Sequence, residues 1–513
     1  MDIFTIFPSW LVSTALVLSM SCMFLFTLRS NRSPMFVPKL PPSPPKLPII
    51  GNLHQLLGMP RHQALWQLSK EYGPIMQIHI GSKPLIVISS PTMAKQVFKN
   101  QDHIFCSRPI FHATKRLSYN HLDIAFSPHN NHWREMRKIL VSEFLGPKRA
   151  TSFNHVLVTE IKSMVHFLSL HPSEVAVNLN ELFLATVKGL VCKFAFGKSY
   201  TEQTLKGPSW EVMLDETMEM LNGSLGDYFP WLGRFIDQFS GWDSKLETCF
   251  SNLDAYIETI VNEHQNNTIA KLSDEDKDFV HTLVELSTIE NDYGYRLTKE
   301  DVKALIMNVF TGGIDTTVVT MVWAMSEITR SARVMKKLQS EIRNCTGRIE
   351  KDQKLDIAKM TYLKMVVKET LRLHPPAPLL IPRESLSHCQ IGVYDVFPTT
   401  TVLINGWAIG RDPETWGENA AEFYPERFEN LEVEYGGRNY EMVPFGGGRR
   451  SCPAMNTAPT TIEFTIANLL YWFDWEVPNG VKNEDLNMQE EGSLVVRKEL
   501  PLYLVPRKHM WED

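Results

Sequence analysis

The chain of 513 residues is 43% hydrophobic, 10% aromatic and 21% charged, with 52 Lys and Arg against 58 Asp and Glu for a net charge of −6. A charged share below the usual ~25% with ample apolar material excludes general disorder, and a near-neutral chain without a basic domain excludes a nucleic-acid binder. The seven cysteines are odd in number and scattered, with no C-x-x-C pair, which excludes a disulfide framework or a zinc ribbon.

No charge occurs between Asp2 and Arg29, and Trp10 to Leu28 is apolar enough to cross ~30 Å of hydrocarbon as a helix. The acidic start and the absence of a small-residue cleavage site point to an uncleaved anchor over residues 1–28. Arg29, Arg32, Lys39 and Lys46 follow the span, so the positive-inside bias places a single-pass chain with its body in the cytosol. Residues 29–52 form a basic, proline-rich hinge. Six prolines between Pro38 and Pro48 predict an extended, semi-rigid spacer that sets the distance from the membrane.

The body then reads as strands over Ile75 to Ile80 and Leu85 to Ser89, followed mainly by amphipathic helices. Helical periodicity covers Asn131 to Leu145, Ala150 to Leu170, Glu181 to Phe196, Lys245 to Gln265, Lys299 to Arg330 and Tyr362 to Leu373, with strands again near Thr401 to Asn405 and at the C-terminus. Without an internal repeat or an interior linker, residues 53–513 read as one large, mainly α domain with small β-sheets.

Within the helix from Lys299, the run Gly312-Gly313-Ile314-Asp315-Thr316-Thr317 is locally unfavourable, since each glycine costs ~1 kcal/mol relative to alanine. A threonine there can bond back to its i−4 carbonyl and open the helix into a groove, which points to function. Glu369 and Arg372 lie three apart and share a helix face. Cys452 alone among the cysteines sits in a special setting, Phe445-Gly446-Gly447-Gly448-Arg449-Arg450-Ser451-Cys452-Pro453. Its glycines admit close approach of a flat partner and its arginines favour a thiolate. The loop alone is equally compatible with a glycine-rich turn around a buried cysteine.

The F-x-x-G-x-R-x-C pattern ending at Cys452 resembles the haem-thiolate loop of cytochrome P450 monooxygenases. The other motifs of that family follow in its order: Trp133 to Arg137 (W-x-x-x-R), Gly312 to Thr317, Glu369 to Arg372 (E-x-x-R) and Phe423 to Phe428 (FYPERF). With Trp407-Ala408-Ile409 and Phe473-Asp474-Trp475, the chain is most similar to the plant A-type microsomal branch. The resemblance implies the cytochrome P450 fold, mainly helical and preceded by one transmembrane helix. It implies haem b with Cys452 as the axial thiolate and metal ligand, Phe445 packed beside the sulfur, and propionates held by Arg137, Arg383, Arg450 and the indole of Trp133. It further implies a structural triad of Glu369, Arg372 and Arg427, and proton delivery by Asp315 and Thr316 during oxygen activation.

By the same resemblance the substrate pocket draws on Phe111, Phe126, Phe229, Phe310, Thr311, Leu379, Leu380 and Leu494, an apolar lining suited to a lipophilic plant specialised metabolite, whether terpenoid, alkaloid or phenolic. His112, Lys115, Arg116 and Asn120 either orient a polar end of the substrate or form a solvated loop. The implied partners are O2, NADPH-cytochrome P450 reductase as electron source, and the endoplasmic-reticulum membrane. Two other readings stay open: coupling, rearrangement or aldoxime dehydration on the same scaffold without net hydroxylation, and a non-catalytic haem-binding membrane protein. The sequence departs from the family pattern at Ala454, where a glycine is usual, and at Thr311-Gly312 and Ile314 in the long helix.

Overall fold

A computed structural model describes residues 38–199, 208–229, 232–266, 277–288, 295–348, 355–431, 433–435, 440–492 and 494–511. The expected membrane span, Trp10 to Leu28, lies outside these residues. The proline-rich stretch forms no helix or strand and closes in a turn at 48–50, with Leu47 bridged to Gly51. It does not stand off from the body as a spacer, because its carbonyls are acceptors for the body's donors. Gln77 N–H donates to Pro42 O (2.8 Å), Asn52 Nδ2 donates to the carbonyls of Pro44 and Pro45, and the backbone of Lys39 exchanges two 2.8 Å bonds with Asp395.

The first helix, α1 (Arg61–Tyr72), covers a four-stranded sheet built from β1 (Ile75–Ile80), β2 (Lys83–Ile88), β3 (Arg383–Glu384) and β4 (Thr401–Ile404) in the order β1-β2-β4-β3. The β1–β2 hairpin is antiparallel, with Ile75 opposite Ile88, whereas β2 and β4 run parallel, with Leu85 opposite Thr401. Alternate residues Met76, Ile78, Leu85 and Val87 turn to one face and join Leu56, Ala64 and Leu65 in a small core of their own.

The large core is helical. Helices α2 (Asn131–Ile139), α3 (Pro147–Leu170), α4 (Leu179–Phe196), α5 (Trp210–Leu221), α6 (Trp242–Asn266), α7 (Lys299–Arg330), α8 (Ala332–Thr346), α9 (Thr361–Leu373) and α10 (Thr457–Trp472) supply most of it. Helix α7 runs through the centre and packs along α4, α9 and α10. It starts at a capping box in which Thr298 and Asp301 each accept the other's backbone N–H, and it is apolar on almost every face, as a central helix must be. Among the described residues it is the one helix long and apolar enough to cross a membrane, but 78% of its apolar window is buried inside the protein, which makes it the core helix.

A C-terminal hairpin of β5 (Glu490–Gly492) and β6 (Val496–Lys498) reaches back over this core. Its base is fixed by buried Glu490, which accepts from His62 Nε2 (2.7 Å), Gln63 Nε2 (2.7 Å) and Trp407 Nε1 (3.2 Å), and by Val496 N–H on Pro376 O.

Candidate active site

The segment before α10 turns back on itself because Gly446 and Gly448 hold φ of +67° and +65°, the left-handed region that side chains disfavour. Cys452 N–H donates to Phe445 O (2.9 Å), closing the turn, and Arg137 Nη2 on α2 donates to Ser451 O (2.7 Å). Two close approaches require glycine: a Cβ on Gly447 would meet the Phe98 ring at 2.8 Å, and one on Gly448 would lie 2.1 Å from Asp102 Oδ1. Buried Asp102 in turn accepts from Arg449 N–H and pairs with Arg449 Nη1 (2.9 Å), so the loop is clamped to the segment ahead of it. Arg449 is half-exposed and paired there.

Cys452 forms part of the floor of a cavity of about 360 Å³ whose opposite wall is α7. Burial pushes its thiol up, opposed by the Ala454 N–H and the Arg137 cation. On α7, Val309, Gly312, Thr316 and Thr320 recur at spacings of three and four and face the cavity together, beside Thr311, Gly313 and Thr317. A Cβ on Gly312 would meet nothing within 4 Å, and one on Gly313 only Val191 at 3.7 Å, so the space these glycines leave belongs to the cavity rather than to packing. Thr316 Oγ1 donates to Gly312 O at 2.7 Å, the expected back-bond, yet α7 remains continuous rather than opened.

Asp315 points elsewhere. It is buried behind the wall, where Arg497 of β6 contacts both its carboxylate oxygens (3.3 and 3.4 Å) and also holds Asp215 of α5 (2.7 Å). Burial raises the Asp315 carboxyl, and the Arg497 cation partly offsets this.

One end of the cavity is lined by four guanidinium groups, Arg108, Arg137, Arg383 and Arg450. Arg450 donates to the carbonyls of Cys106 (2.7 Å), Ile124 and Ser127 (2.6 Å), Arg383 to Phe105 O and Gly447 O (2.5 Å), and Arg108 to Ala125 O, Ile381 O (2.6 Å) and Pro382 O. Burial lowers all four, Arg383 to about 10 and Arg450 to about 9. Asp102, 3.4 Å from Arg383 Nη1, and buried Asp123 balance only part of this charge, and two carboxylates of a ligand would balance the rest. Arg108 is the residue that sequence reasoning missed.

Of the expected pocket residues, Phe126, Thr311, Leu380 and Leu494 line the main cavity. Phe111 and Leu379 line a second chamber of about 110 Å³ that shares Arg108, Phe126, Leu221, Leu380, Ile381 and Leu494 with it. Phe310 does not line either; it is buried against Tyr256. Phe229 lies instead beside Gly81 on the β1–β2 turn. Trp133 is also displaced from its expected role: its indole N–H donates to Ile124 O (3.0 Å) and its ring lies under Arg450, so it buttresses the guanidinium from behind. His112, Lys115, Arg116 and Asn120 are absent from both linings, and Arg116 is engaged by Glu247.

Outside the cavity, Glu369, Arg372 and Arg427 meet in the interior. Arg372 donates through Nε and Nη2 to the two Glu369 oxygens (2.7 Å each), Arg427 Nε donates to Oε1 (2.9 Å), and the remaining N–H groups hold carbonyls of residues 410–422.

The cytochrome P450 family profile matches residues 41–505. The chain belongs to the cytochrome P450 family. This P450 is 54% identical to parthenolide synthase of Tanacetum parthenium over 99% of its own length and 100% of that protein's, and 44% identical to eupatolide synthase of Helianthus annuus over 99% of each. A solved zebrafish P450, with abiraterone, shares the fold at a TM-score of 0.71, with 22% identity, covering 88% of this chain and all of the other. The protein is accordingly a monooxygenase of the plant type whose cofactor is haem-thiolate iron, with electrons supplied by a reductase. The residues present fit that group: a thiol that lines the cavity, glycines on α7 that leave open space there, and a cluster of arginines suited to a ligand's carboxylates.

If Arg108 belongs to that cluster, Arg108→Leu is expected to weaken haem retention roughly tenfold to hundredfold, the loss of one charge-assisted bond to a buried anion. Haem content after gel filtration and haem transfer to apomyoglobin measure this; wild-type retention would remove Arg108 from the set.

Proposed function

We propose that Cys452 is the axial ligand of the haem, that Arg108, Arg137, Arg383 and Arg450 hold its propionates, and that the enzyme inserts one atom of O2 into a neutral terpenoid. The observation that carries this reading is the convergence on one apolar cavity of the Cys452 thiol, the Thr316 face of α7 and four arginines, three of them buried. When bound, haem supplies the activation of dioxygen and the oxidation of substrate. The chain's own residues then have defined tasks. Phe126, Leu380 and Leu494 exclude water and press an apolar molecule towards the floor. Thr316 Oγ1, held by Gly312 O, keeps its lone pairs towards the cavity and orders a water or a proton there. Asp315 stores the next proton and reaches the cavity when Arg497 releases it.

Thr316→Ala is expected to lower product formed per NADPH consumed while leaving haem content unchanged, with turnover down on the order of 10²-fold, the usual weight of a proton-delivery group. Unchanged coupling would remove Thr316 from the relay. Arg497→Leu removes the cation that favours ionised Asp315, so the carboxyl rises further and, because a proton donor works in its protonated form, the alkaline limb of the turnover profile moves to higher pH; a limb that does not move would contradict the Asp315 assignment.

The residues ahead of the body support a single-pass anchor in the endoplasmic-reticulum membrane, with the catalytic body cytosolic and NADPH-cytochrome P450 reductase as the electron donor. Product made under labelled dioxygen, with reductase and NADPH, is expected to carry one labelled oxygen. A product of unchanged oxygen count would favour coupling, rearrangement or dehydration on the same scaffold.

A further inference from the structure

Away from the cavity, the last turns of α6 meet the start of the helix Phe279–Thr288, and three ligand-type side chains come together there. His264, Asp278 and His281 place two ring nitrogens and a carboxylate oxygen within 4.8 Å of one another, and none of the three lines either chamber. His264 Nδ1 lies 2.7 Å from Ile260 O, which can only accept, so Nδ1 carries the proton and Nε2 of the neutral ring turns a lone pair towards Asp278 Oδ2 at 3.0 Å. His281 N–H donates to Asp278 Oδ1 (2.9 Å), which leaves Oδ2 as the inward oxygen. His281 Nδ1 lies 2.8 Å from that same Oδ2, yet it is shut off from solvent and makes no hydrogen bond. The carboxylate is held in place from behind. Arg149 donates to the carbonyls of Lys277 and Asp278 and to the Thr282 hydroxyl (2.9 Å), and Gly197, with φ of +72°, leaves the room this carboxylate takes, since a Cβ there would lie 2.6 Å from Oδ2.

One carboxylate oxygen thus faces two ring nitrogens, and something positive has to lie between them. A proton on His264 Nε2 would satisfy that nitrogen but leave His281 Nδ1, buried and outside hydrogen-bonding geometry, without a partner. One divalent ion serves all three atoms at once and lets both rings stay neutral. The spacing suits it, because adjacent ligands each about 2.1 Å from one ion lie about 3 Å apart. We propose that His264, Asp278 and His281 form a structural site for a divalent transition-metal ion, which pins α6 to the helix Phe279–Thr288. Two imidazoles with one carboxylate select zinc over magnesium or calcium, which take oxygen ligands. His281 keeps the most exposure of the three, so the ion enters from its side and a water completes the tetrahedron there.

The test uses the haem-loaded chain without an affinity tag, dialysed against EDTA and then titrated with zinc. The native chain is expected to take up one zinc ion with a Kd below about 10 μM and to gain in thermal midpoint as it does so. His281→Gln and Asp278→Asn, the second of which keeps an acceptor for His281 N–H, are expected to bind zinc at least ~100-fold more weakly and to lose the gain in midpoint, with haem content unchanged. X-ray absorption at the zinc edge of the native chain needs no variant; it is expected to show two imidazoles with oxygen at about 2.0–2.2 Å. No zinc uptake by the native chain would overturn the site and leave a proton shared by His264 and Asp278. Native-like uptake by either haem-loaded variant, or a zinc spectrum with sulfur or a single imidazole, would place the ion elsewhere and overturn it as well.

Discussion

Glu369→Ala is expected to give almost no soluble haem-containing protein. Glu369 and Arg372 are completely buried, and the carboxylate accepts from Arg372, Arg427 and the Tyr424 N–H (2.8 Å) at once. Removing it leaves two guanidinium groups inside the protein without their counter-ion, a change worth about 3–5 kcal/mol. That is a large part of the 5–15 kcal/mol by which whole domains are typically stable. The damage also spreads, because Arg372 and Arg427 tie down carbonyls of Gly410, Trp416, Asn419, Ala420 and Glu422. Glu369→Gln keeps an acceptor without the charge and is expected to fall between the two. Yield of holoenzyme and the thermal midpoint decide the matter; a wild-type midpoint for Glu369→Ala would show that the triad does not support the fold.

Cys452→Ser is expected to abolish turnover while leaving the polypeptide folded. Burial raises the thiol, which favours its neutral form, and coordination to a bound cation would favour the thiolate. Ala454 N–H and Arg137 are placed to favour the resulting thiolate. A serine hydroxyl, far less acidic, keeps its proton in the same setting and offers iron a weak neutral oxygen. The loop is otherwise held by Gly447 against Phe98, Asp102 against Arg449, and Arg137 against Ser451 O, none of which depends on the sulfur. Circular dichroism is therefore expected to be unchanged while product formation falls below detection.

What could be read from the sequence follows from what each motif encodes. The Cys452 loop, E-x-x-R and the Gly312 to Thr317 run are local statements about backbone freedom, helix faces and ionic partners, so their geometry could be anticipated. The triad depends on a long-range partner, Arg427, that periodicity does not reveal and only the family resemblance supplied. Side-chain direction was harder. Phe310 and Asp315 adjoin residues that face the cavity, yet at ~100° per residue a neighbour on a helix need not share a face, and the 309-312-316-320 spacing already marks the face they leave. For the described part of the hinge, the sequence does not show that Gln77, Asn52 and Asp395 bind it to the body. Arg108 left a fainter trace: a lone cation in Ile104-Phe105-Cys106-Ser107-Arg108-Pro109-Ile110, a run with no acid of its own to pair it.

The central claim is that Cys452 presents its sulfur to haem iron on the floor of this cavity. Its most direct test is the spectrum of the reduced, carbon-monoxide-treated protein, recorded for the native chain and for Cys452→Ser side by side. The native protein is expected to show the long-wavelength Soret band of thiolate-bound haem, and the variant to lose it. Absence of the band from correctly loaded native protein, or its survival in Cys452→Ser, would contradict the assignment.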